Sequence, residues 1–173
     1  MKTLIALVFV TTLAQPFSSA SGPSSPANPS PQDIVGTWML VAYEDHPDGG
    51  PTEYPYGPTP AGLLIYDATG HMAIQIMKTP HPKVASGDDE NVSPAEKVAL
   101  FDAYTAYFGS YSVDWKTQIV THRVEGDICD VYVGTAQKRH FELHGDRLTL
   151  SDSWTRNGHE VRGLRVFECV KPR

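Results

Sequence analysis

The hydrophobic and polar residues that follow residue 32 alternate with a period of two over most of the chain, a pattern typical of β-strands. The first such segment covers residues 35–44 and is apolar on both faces, which indicates a strand that is covered on its outer side as well. A hairpin is predicted next, with strands at residues 62–66 and 71–77 joined by a glycine-containing turn at 67–70. Five further strands are predicted at residues 110–114, 118–124, 131–143, 147–154 and 160–170.

One segment has helical periodicity instead. Ser93 and Glu96 match the capping-box pattern, with Pro94 at the first helical position. Apolar residues then recur at helical spacing as far as Phe108, so we predict a helix that Gly109 ends. Eight strands, one helix between the third and the fourth, and no βαβ alternation predict an all-β fold. We expect an eight-stranded antiparallel up-and-down β-barrel, because closure removes the exposed edges of the sheet.

The first 32 residues lie outside this pattern. Lys2, an apolar run at residues 4–14 and small residues up to Ala20 predict a secretory signal peptide over residues 1–20. The apolar run is too short for a bilayer, which needs about 20 residues, so we expect no membrane insertion after cleavage. Residues 21–32 are rich in proline and serine and uncharged, which predicts a flexible segment. The folded domain is therefore expected at residues 33–171, in a secreted protein.

The formal net charge of −6 is modestly acidic, which argues against nucleic acid and anionic membranes as partners. Cys129 and Cys169 are the only cysteines. In an oxidising compartment they predict one disulfide worth about 3–4 kcal/mol, with two unrelated buried thiols as the alternative. Asn91 begins a glycosylation sequon, although the proline directly after the sequon lowers its use. The seven histidines show no metal-ligand spacing, and no cofactor motif is present, so we predict neither a metal nor a cofactor.

Several segments resemble a known family. Gly36 and Trp38 match the G-x-W signature that lipocalins carry on their first strand. Residues 62–72, 106–114 and 133–151 are similar to the first hairpin, the helix-to-strand junction and the long hairpin of the bacterial and fungal lipocalin-like domain family. These matches are collinear and cover nearly all of the predicted domain. The resemblance implies an eight-stranded barrel with a central cavity.

The same resemblance implies a structural role for Gly36 and Trp38. In lipocalins the motif tryptophan packs at the closed end of the barrel, beside a basic residue from late in the chain. Arg165 and Lys171 are the two candidates for that basic residue in this sequence.

The alternation also predicts which polar residues face inward. On the sixth strand Gln137 and Arg139 share a face with apolar neighbours, and an inward arginine needs a partner or a ligand anion. His122 and Asp152 lie on apolar faces of the fifth and seventh strands. We therefore predict a catalytic set in which Asp152 orients His122 as a general acid or base and Arg139 steers charge. The predicted ligand-binding residues are Gln75, Gln137, Arg139, Tyr66, Tyr111 and Trp154.

Simpler interpretations of these residues stay open. A histidine on an apolar strand face, such as His122, is more often a hydrogen-bonded core residue than a catalyst. Arg139 is equally well explained by an ion pair with Asp152 or Glu168 at the rim. The proline-rich loop at residues 46–61, with Tyr54 and Tyr56, is expected to cover the mouth of the barrel.

Three functions fit these observations. The first is a secreted carrier of a small hydrophobic or aromatic metabolite. The second is a cofactor-free isomerase, cyclase or dehydratase acting on a polyketide or terpenoid intermediate of secondary metabolism, which the family resemblance suggests. The third is an interaction or structural protein whose barrel is filled by its own side chains.

Overall fold

The computed structural model describes residues 33–171, and its secondary structure is almost entirely antiparallel strand. The strands are β1 (Gly36–Pro47), β2 (Ala61–Tyr66), β3 (His71–Met77), β4 (Tyr104–Asp114), β5 (Ile119–Asp127), β6 (Ala136–His144), β7 (Arg147–Arg156) and β8 (His159–Cys169). One α-helix, α1 (Pro94–Asp102), lies between β3 and β4, with short 3₁₀ turns at Asp89–Asn91 and Asp130–Tyr132. The predicted signal peptide and the predicted flexible segment lie outside the described residues.

The eight strands form a closed barrel in which each strand pairs with the next along the chain. β8 closes the barrel on β1, with a register that runs from Trp38 opposite Cys169 to Pro47 opposite Val161. The prediction of an eight-stranded antiparallel barrel with one helix between the third and fourth strands is confirmed. No helix within residues 33–171 is long and apolar enough to span a membrane.

The two ends of the barrel differ in their connections. At one end, which we call the short-turn end, the strands are joined by the turns at residues 67–70, 115–118 and 145–146. At the other, the long-loop end, lie residues 48–60, the segment 78–103 that contains α1, and residues 128–135, together with the short β7–β8 turn at residues 157–158. Long loops at one end leave room for an opening there, whereas short turns bring the strands of the other end together over the core.

The large aromatic side chains of the core lie in the short-turn half of the barrel. They are Trp38, Tyr66, Phe141 and Phe167, each at most 1% exposed. Trp38 is 1% exposed, and its Nε1 donates a hydrogen bond to the Ile34 carbonyl at 2.9 Å, which satisfies its one polar atom inside the core.

The predicted helix is too long. α1 begins as expected, with the Ser93 and Glu96 side chains forming both hydrogen bonds of the capping box, but it ends at Asp102. Residues 104–109 belong to β4 and pair with β3. This segment is aromatic and β-branched, and its side chains also alternate with a period of two, so pairing with β3 decides in favour of strand. β6 likewise begins at Ala136 and not at residue 131, because a 3₁₀ turn occupies Asp130–Tyr132.

The predicted disulfide is wrong, because both cysteines are free thiols. Cys129 follows β5 at the long-loop end, whereas Cys169 ends β8 at the short-turn end, opposite Trp38. β5 alone is nine residues long, and at roughly 3.3 Å per residue it extends over about 30 Å. A disulfide requires Cα atoms no more than about 7 Å apart, so the barrel topology holds the two thiols out of reach.

Asn91, the predicted glycosylation site, is exposed at the end of a 3₁₀ turn. Its Nδ2 donates a hydrogen bond to Asp88 Oδ2 at 2.5 Å. Its glycosylation stays a prediction.

Candidate ligand cavity

The interior of the barrel holds a cavity of about 720 Å³. Its apolar wall consists of side chains from β3, β5, β7 and β8: Ile74, Ile76, Val124, Leu150 and Phe167. Its aromatic wall consists of Tyr43, Tyr56, Tyr107 and Trp154. A volume of this size lies within the range of about 300–1,000 Å³ that is typical of small-molecule sites.

The first charged group in the cavity is an ion pair between β1 and β8. Arg165 Nη2 lies 2.9 Å from Asp45 Oδ1, and the two side chains are only 12% and 7% exposed. Arg165 Nη1 also donates to the carbonyl of Glu44 at 2.5 Å. The guanidinium lies over the Tyr43 ring, 3.3 Å from the ring centre. These contacts compensate a buried charge that would otherwise be strongly unfavourable.

A second ion pair joins β6 to β7. Arg139 Nε lies 3.3 Å from Asp152 Oδ2, and each side chain is about a quarter exposed. The backbone pairing of β6 with β7 extends only from His144 to His140, so the strands are not paired beside Arg139. The ion pair therefore bridges the two strands where their hydrogen-bonded ladder has stopped.

A glycine on β8 makes room for both ion pairs. A Cβ atom at Gly163 would lie 2.5 Å from Asp152 Oδ1 and 3.0 Å from Arg165 Nη2. The two pairs are therefore neighbours in the cavity wall. Each arginine faces its own aspartate, so the formal charges of the two pairs cancel.

His122 lies beneath the cavity and is fully buried. Its Nε2 lies 2.6 Å from the Tyr66 hydroxyl and its Nδ1 lies 2.8 Å from the Tyr107 hydroxyl. Burial, together with the positive charge of Arg139, lowers the pKa of His122 to about 3. The imidazole is therefore neutral at physiological pH.

The two tyrosines that flank His122 are neutral as well. Burial raises the pKa of Tyr107 to about 12 and raises the pKa of Tyr66 well above its ordinary value. The side chains of Tyr66, His122 and Tyr107 thus form an uncharged chain of hydrogen bonds. It runs from the core to the cavity wall, where Tyr107 is exposed to the interior space.

The structure brings four of the eight sequence-predicted residues to the cavity wall. Gln137, Arg139, Asp152 and Trp154 line it directly. Gln137 Nε2 donates to Thr135 Oγ1 at 2.8 Å. The predicted alignment of His122 by Asp152 is wrong, because tyrosines occupy both ring nitrogens of the histidine and Asp152 pairs with Arg139.

Three predicted ligand-binding residues lie elsewhere. Gln75 is exposed on the outer face of β3, where it accepts a hydrogen bond from the Tyr104 hydroxyl at 3.0 Å. The inward residues of β3 are its neighbours in the alternation, such as Ile74 and Ile76. Tyr66 is fully buried in the core behind Tyr107. Tyr111 packs on Tyr66 with ring centres 4.6 Å apart and lines a surface pocket at the short-turn end.

The Asp45–Arg165 pair and the inward position of Tyr43 are missing from the sequence prediction. Strict alternation on β1 assigns Tyr43 to the face opposite Trp38 and Leu40. A β-bulge between Leu40 and Ala42 inserts an extra residue and reverses the alternation. Tyr43 and Asp45 consequently point into the barrel. Arg165 alternates with Gly163 and Phe167 on β8, which is the one sequence signal that indicates its inward side chain.

The proline-rich loop contributes Tyr56 to the mouth of the cavity. The Tyr56 ring packs edge-on against Tyr43, with ring centres 4.7 Å apart. Thr79 N donates to the Tyr56 carbonyl at 3.1 Å, and a Cβ at Gly57 would lie 2.4 Å from the Thr79 carbonyl oxygen. Gly57 also has a positive φ of 84°, so only glycine fits this close approach without strain. Tyr54, the other tyrosine of this loop, is 48% exposed.

The family model of the lipocalin-like domain matches residues 35–166, a range that covers all of β1–β7 and most of β8. The chain belongs to the lipocalin-like domain family. No curated protein matches the sequence. The family resemblance predicted from the sequence is therefore confirmed. A lipocalin-like barrel with an interior cavity supports ligand binding in general terms.

Two details of this lipocalin-like domain bear on its chemistry. The candidate basic partners of Trp38 are used elsewhere: Arg165 pairs with Asp45 in the cavity, and Lys171 Nζ pairs with Asp146 Oδ2 at 2.6 Å on the surface. Within residues 33–171, no group of three or more histidine, cysteine, aspartate or glutamate side chains is arranged to hold a metal ion.

Proposed function

We propose that the protein is a secreted carrier that binds a small hydrophobic or aromatic molecule in the cavity of its barrel. The observation that carries this proposal is the cavity of about 720 Å³ itself, with apolar and aromatic walls and a few fixed polar groups. Apolar walls supply the free energy of binding, and a small number of polar groups supply orientation. The cavity argues against the third sequence-based hypothesis, a barrel filled by its own side chains.

Secretion is the part of this proposal that depends on sequence alone. Lys2, the apolar run at residues 4–14 and the small residues up to Ala20 support it. Mass spectrometry of the protein from the culture medium of its producer tests it, with an N-terminus at residue 21 as the expected result. Retention of the full-length chain in the cell contradicts secretion without affecting the binding proposal.

The ionisable groups of the site support binding more than acid–base catalysis. A general acid or base works best with a pKa near the operating pH. The pKa of His122 is lowered to about 3 by burial, and the pKa of Tyr107 is raised to about 12 for the same reason. Both groups therefore keep one protonation state throughout the physiological range, which suits a fixed donor or acceptor of hydrogen bonds.

A titration with the neutral fluorophore N-phenyl-1-naphthylamine tests the binding site. The matched variants are Thr105→Trp, which places an indole in the cavity, and Thr121→Trp, on β5 between the inward Val120 and His122 and thus on the outer face. We expect the wild type and T121W to bind the probe with the same affinity and T105W to bind at least tenfold more weakly. Equal binding by all three proteins contradicts a ligand site in the barrel.

The second candidate function, a cofactor-free enzyme acting on a reactive intermediate, requires turnover in place of retention. Native mass spectrometry of the mature domain mixed with an extract of its producer distinguishes the two. A carrier retains an unchanged small molecule. An enzyme instead changes the mass of a compound in the extract, and the H122A and R139A variants abolish that change.

A further inference from the structure

The hydrogen bonds between Tyr66, His122 and Tyr107 restrict which atoms of these three side chains can carry a proton. A neutral imidazole has one N–H donor and one bare nitrogen that accepts, and a tyrosine hydroxyl has one proton to donate. His122 is neutral, so one of its two tyrosines must donate to the ring and the other must accept from it. Only two arrangements of protons are consistent with this rule.

In the first arrangement, the proton is on Nε2 and is donated to Tyr66. The Tyr66 hydroxyl would then need another acceptor for its own proton. Tyr66 is 0% exposed, and within residues 33–171 the structure gives its hydroxyl a single hydrogen-bond partner, His122. This arrangement therefore buries an O–H group without a partner, which folded proteins avoid.

In the second arrangement, the proton is on Nδ1 and every buried group is satisfied. Tyr66 donates to the bare Nε2, at 2.6 Å, and Nδ1–H donates to the Tyr107 oxygen, at 2.8 Å. The Tyr107 proton is then not used within the chain. Because Tyr107 lines the cavity, its proton is available to whatever occupies that space.

We infer that His122 holds the Nδ1–H tautomer and thereby fixes the Tyr107 hydroxyl as a hydrogen-bond donor to an oxygen acceptor of the bound ligand. This inference rests on the proposed function and names its ligand class: neutral aromatic compounds that carry a carbonyl group. His122 acts through Tyr107 and is a positioning residue, since Tyr107 lies between it and the cavity.

The ion pairs of the cavity favour a ligand whose hydrogen-bond acceptor for Tyr107 is neutral. Arg165 is paired with Asp45 and Arg139 with Asp152, so both arginines of this wall already face a carboxylate. The cavity lining also includes one exposed lysine, Lys138, and one further carboxylate, Asp127, so its formal charges still balance. A ligand carboxylate that bound either arginine would have to displace an aspartate or lie beside one, at the cost of like-charge repulsion. A carbonyl oxygen needs only the single proton of Tyr107, and the aromatic wall formed by Tyr43, Tyr56 and Trp154 accommodates a planar ring.

The tautomer is tested without any ligand by NMR of the protein labelled with ¹⁵N-histidine, at neutral pH. The His122 signals are assigned as those lost in the His122→Gln variant. We expect the nitrogen that correlates most strongly with Hδ2, which is Nε2, at the chemical shift of an unprotonated ring nitrogen, and Nδ1 at that of a protonated one. The opposite pattern overturns the inference, whatever the protein binds.

The donor role is tested with two fluorophores, prodan, which has an aromatic ketone, and N-phenyl-1-naphthylamine, which has no carbonyl group. The variant is Tyr107→Phe, and the matched control is Tyr104→Phe, which loses a hydroxyl bound to Gln75 on the outer face of the barrel. In Y107F we expect the Kd of prodan to rise about tenfold and its emission to shift to the blue, because the hydrogen bond to its carbonyl is lost. In Y104F both should stay within twofold of the wild type.

The two probes separate the inference from the function on which it rests. If wild type binds N-phenyl-1-naphthylamine but Y107F leaves the Kd of prodan unchanged, the donor role of Tyr107 is refuted and the carrier function stands. If Y107F weakens both probes equally, the effect is one of cavity shape and the inference is also refuted. If wild type binds neither probe, the proposed function fails, while the NMR measurement still decides the tautomer.

Discussion

The Asp45→Asn substitution removes the negative charge that faces Arg165 inside the barrel while keeping the shape of the side chain. Both residues are about nine-tenths buried, so the guanidinium of Arg165 stays charged in a region that water hardly reaches. Loss of one partner from a buried ion pair costs about 3–5 kcal/mol. Arg165 keeps its hydrogen bond to the Glu44 carbonyl and its stacking on Tyr43, so we expect the lower end of this range, about 3 kcal/mol.

The Asp152→Asn substitution is the matched control, because it makes the same chemical change in the pair with Arg139. Those side chains are about a quarter exposed, so water and salt compensate part of the lost interaction. We expect a loss of about 1 kcal/mol, in line with partly solvated pairs. Urea denaturation followed by tryptophan fluorescence measures the free energy of unfolding of both variants.

A double-mutant cycle with Arg165→Met completes the experiment. If D45N is destabilising because it leaves a cation unpaired, removal of that cation restores part of the lost stability, and D45N/R165M is more stable than D45N alone. Three results would show that D45N does not leave a buried cation unpaired: a D45N cost of less than about 1 kcal/mol, a D152N cost as large as that of D45N, or additive substitutions in the cycle.

Three further predictions concern other parts of the barrel. The pKa of His122 is about 3 in the folded state and near 6.5 in the unfolded chain, so the folded state binds fewer protons between these values. Stability is therefore lost as the pH falls from about 6.5 towards 3, by about 1.4 kcal/mol per pH unit from this group, and denaturation curves of H122Q should lack that contribution. Gly109→Ala should lower the Tm markedly, because the new Cβ would lie 1.9 Å from the Arg123 carbonyl oxygen. We expect the free energy of unfolding to fall by about 3 kcal/mol. An unchanged Tm would contradict this close packing. Finally, iodoacetamide added to the denatured, unreduced protein should alkylate both Cys129 and Cys169, since both are free thiols. If the chain is not alkylated until it has been reduced, the two cysteines form a disulfide and the prediction of free thiols is wrong.

The order of the strands was predictable because alternation with a period of two is a local property of the chain. The hairpin at β2 and β3 and the start of α1 were likewise predictable, since turn residues and a capping box act within a few positions. The inward direction of Gln137, Arg139 and His122 follows from the same alternation.

The end of α1 was not predictable from local sequence. Residues 104–108 satisfy both a helical and a strand pattern, and only their pairing with β3 selects the strand. The orientation of Tyr43 depends on a bulge that has no mark in the sequence of β1.

Local patterns along the chain were enough to predict an eight-stranded barrel and the face that most polar residues occupy. Which of these residues meet depends on strand pairing between distant parts of the chain. Asp45 and Arg165 are 120 positions apart and form a pair because β8 closes on β1, with a register that no local pattern contains. The up-and-down order of the strands put Cys129 and Cys169 at opposite ends of the barrel, and barrel register placed His122 between two tyrosines and away from Asp152. Local patterns fix the direction of a side chain, whereas long-range strand pairing fixes its neighbours, and the chemistry of the cavity depends on those neighbours.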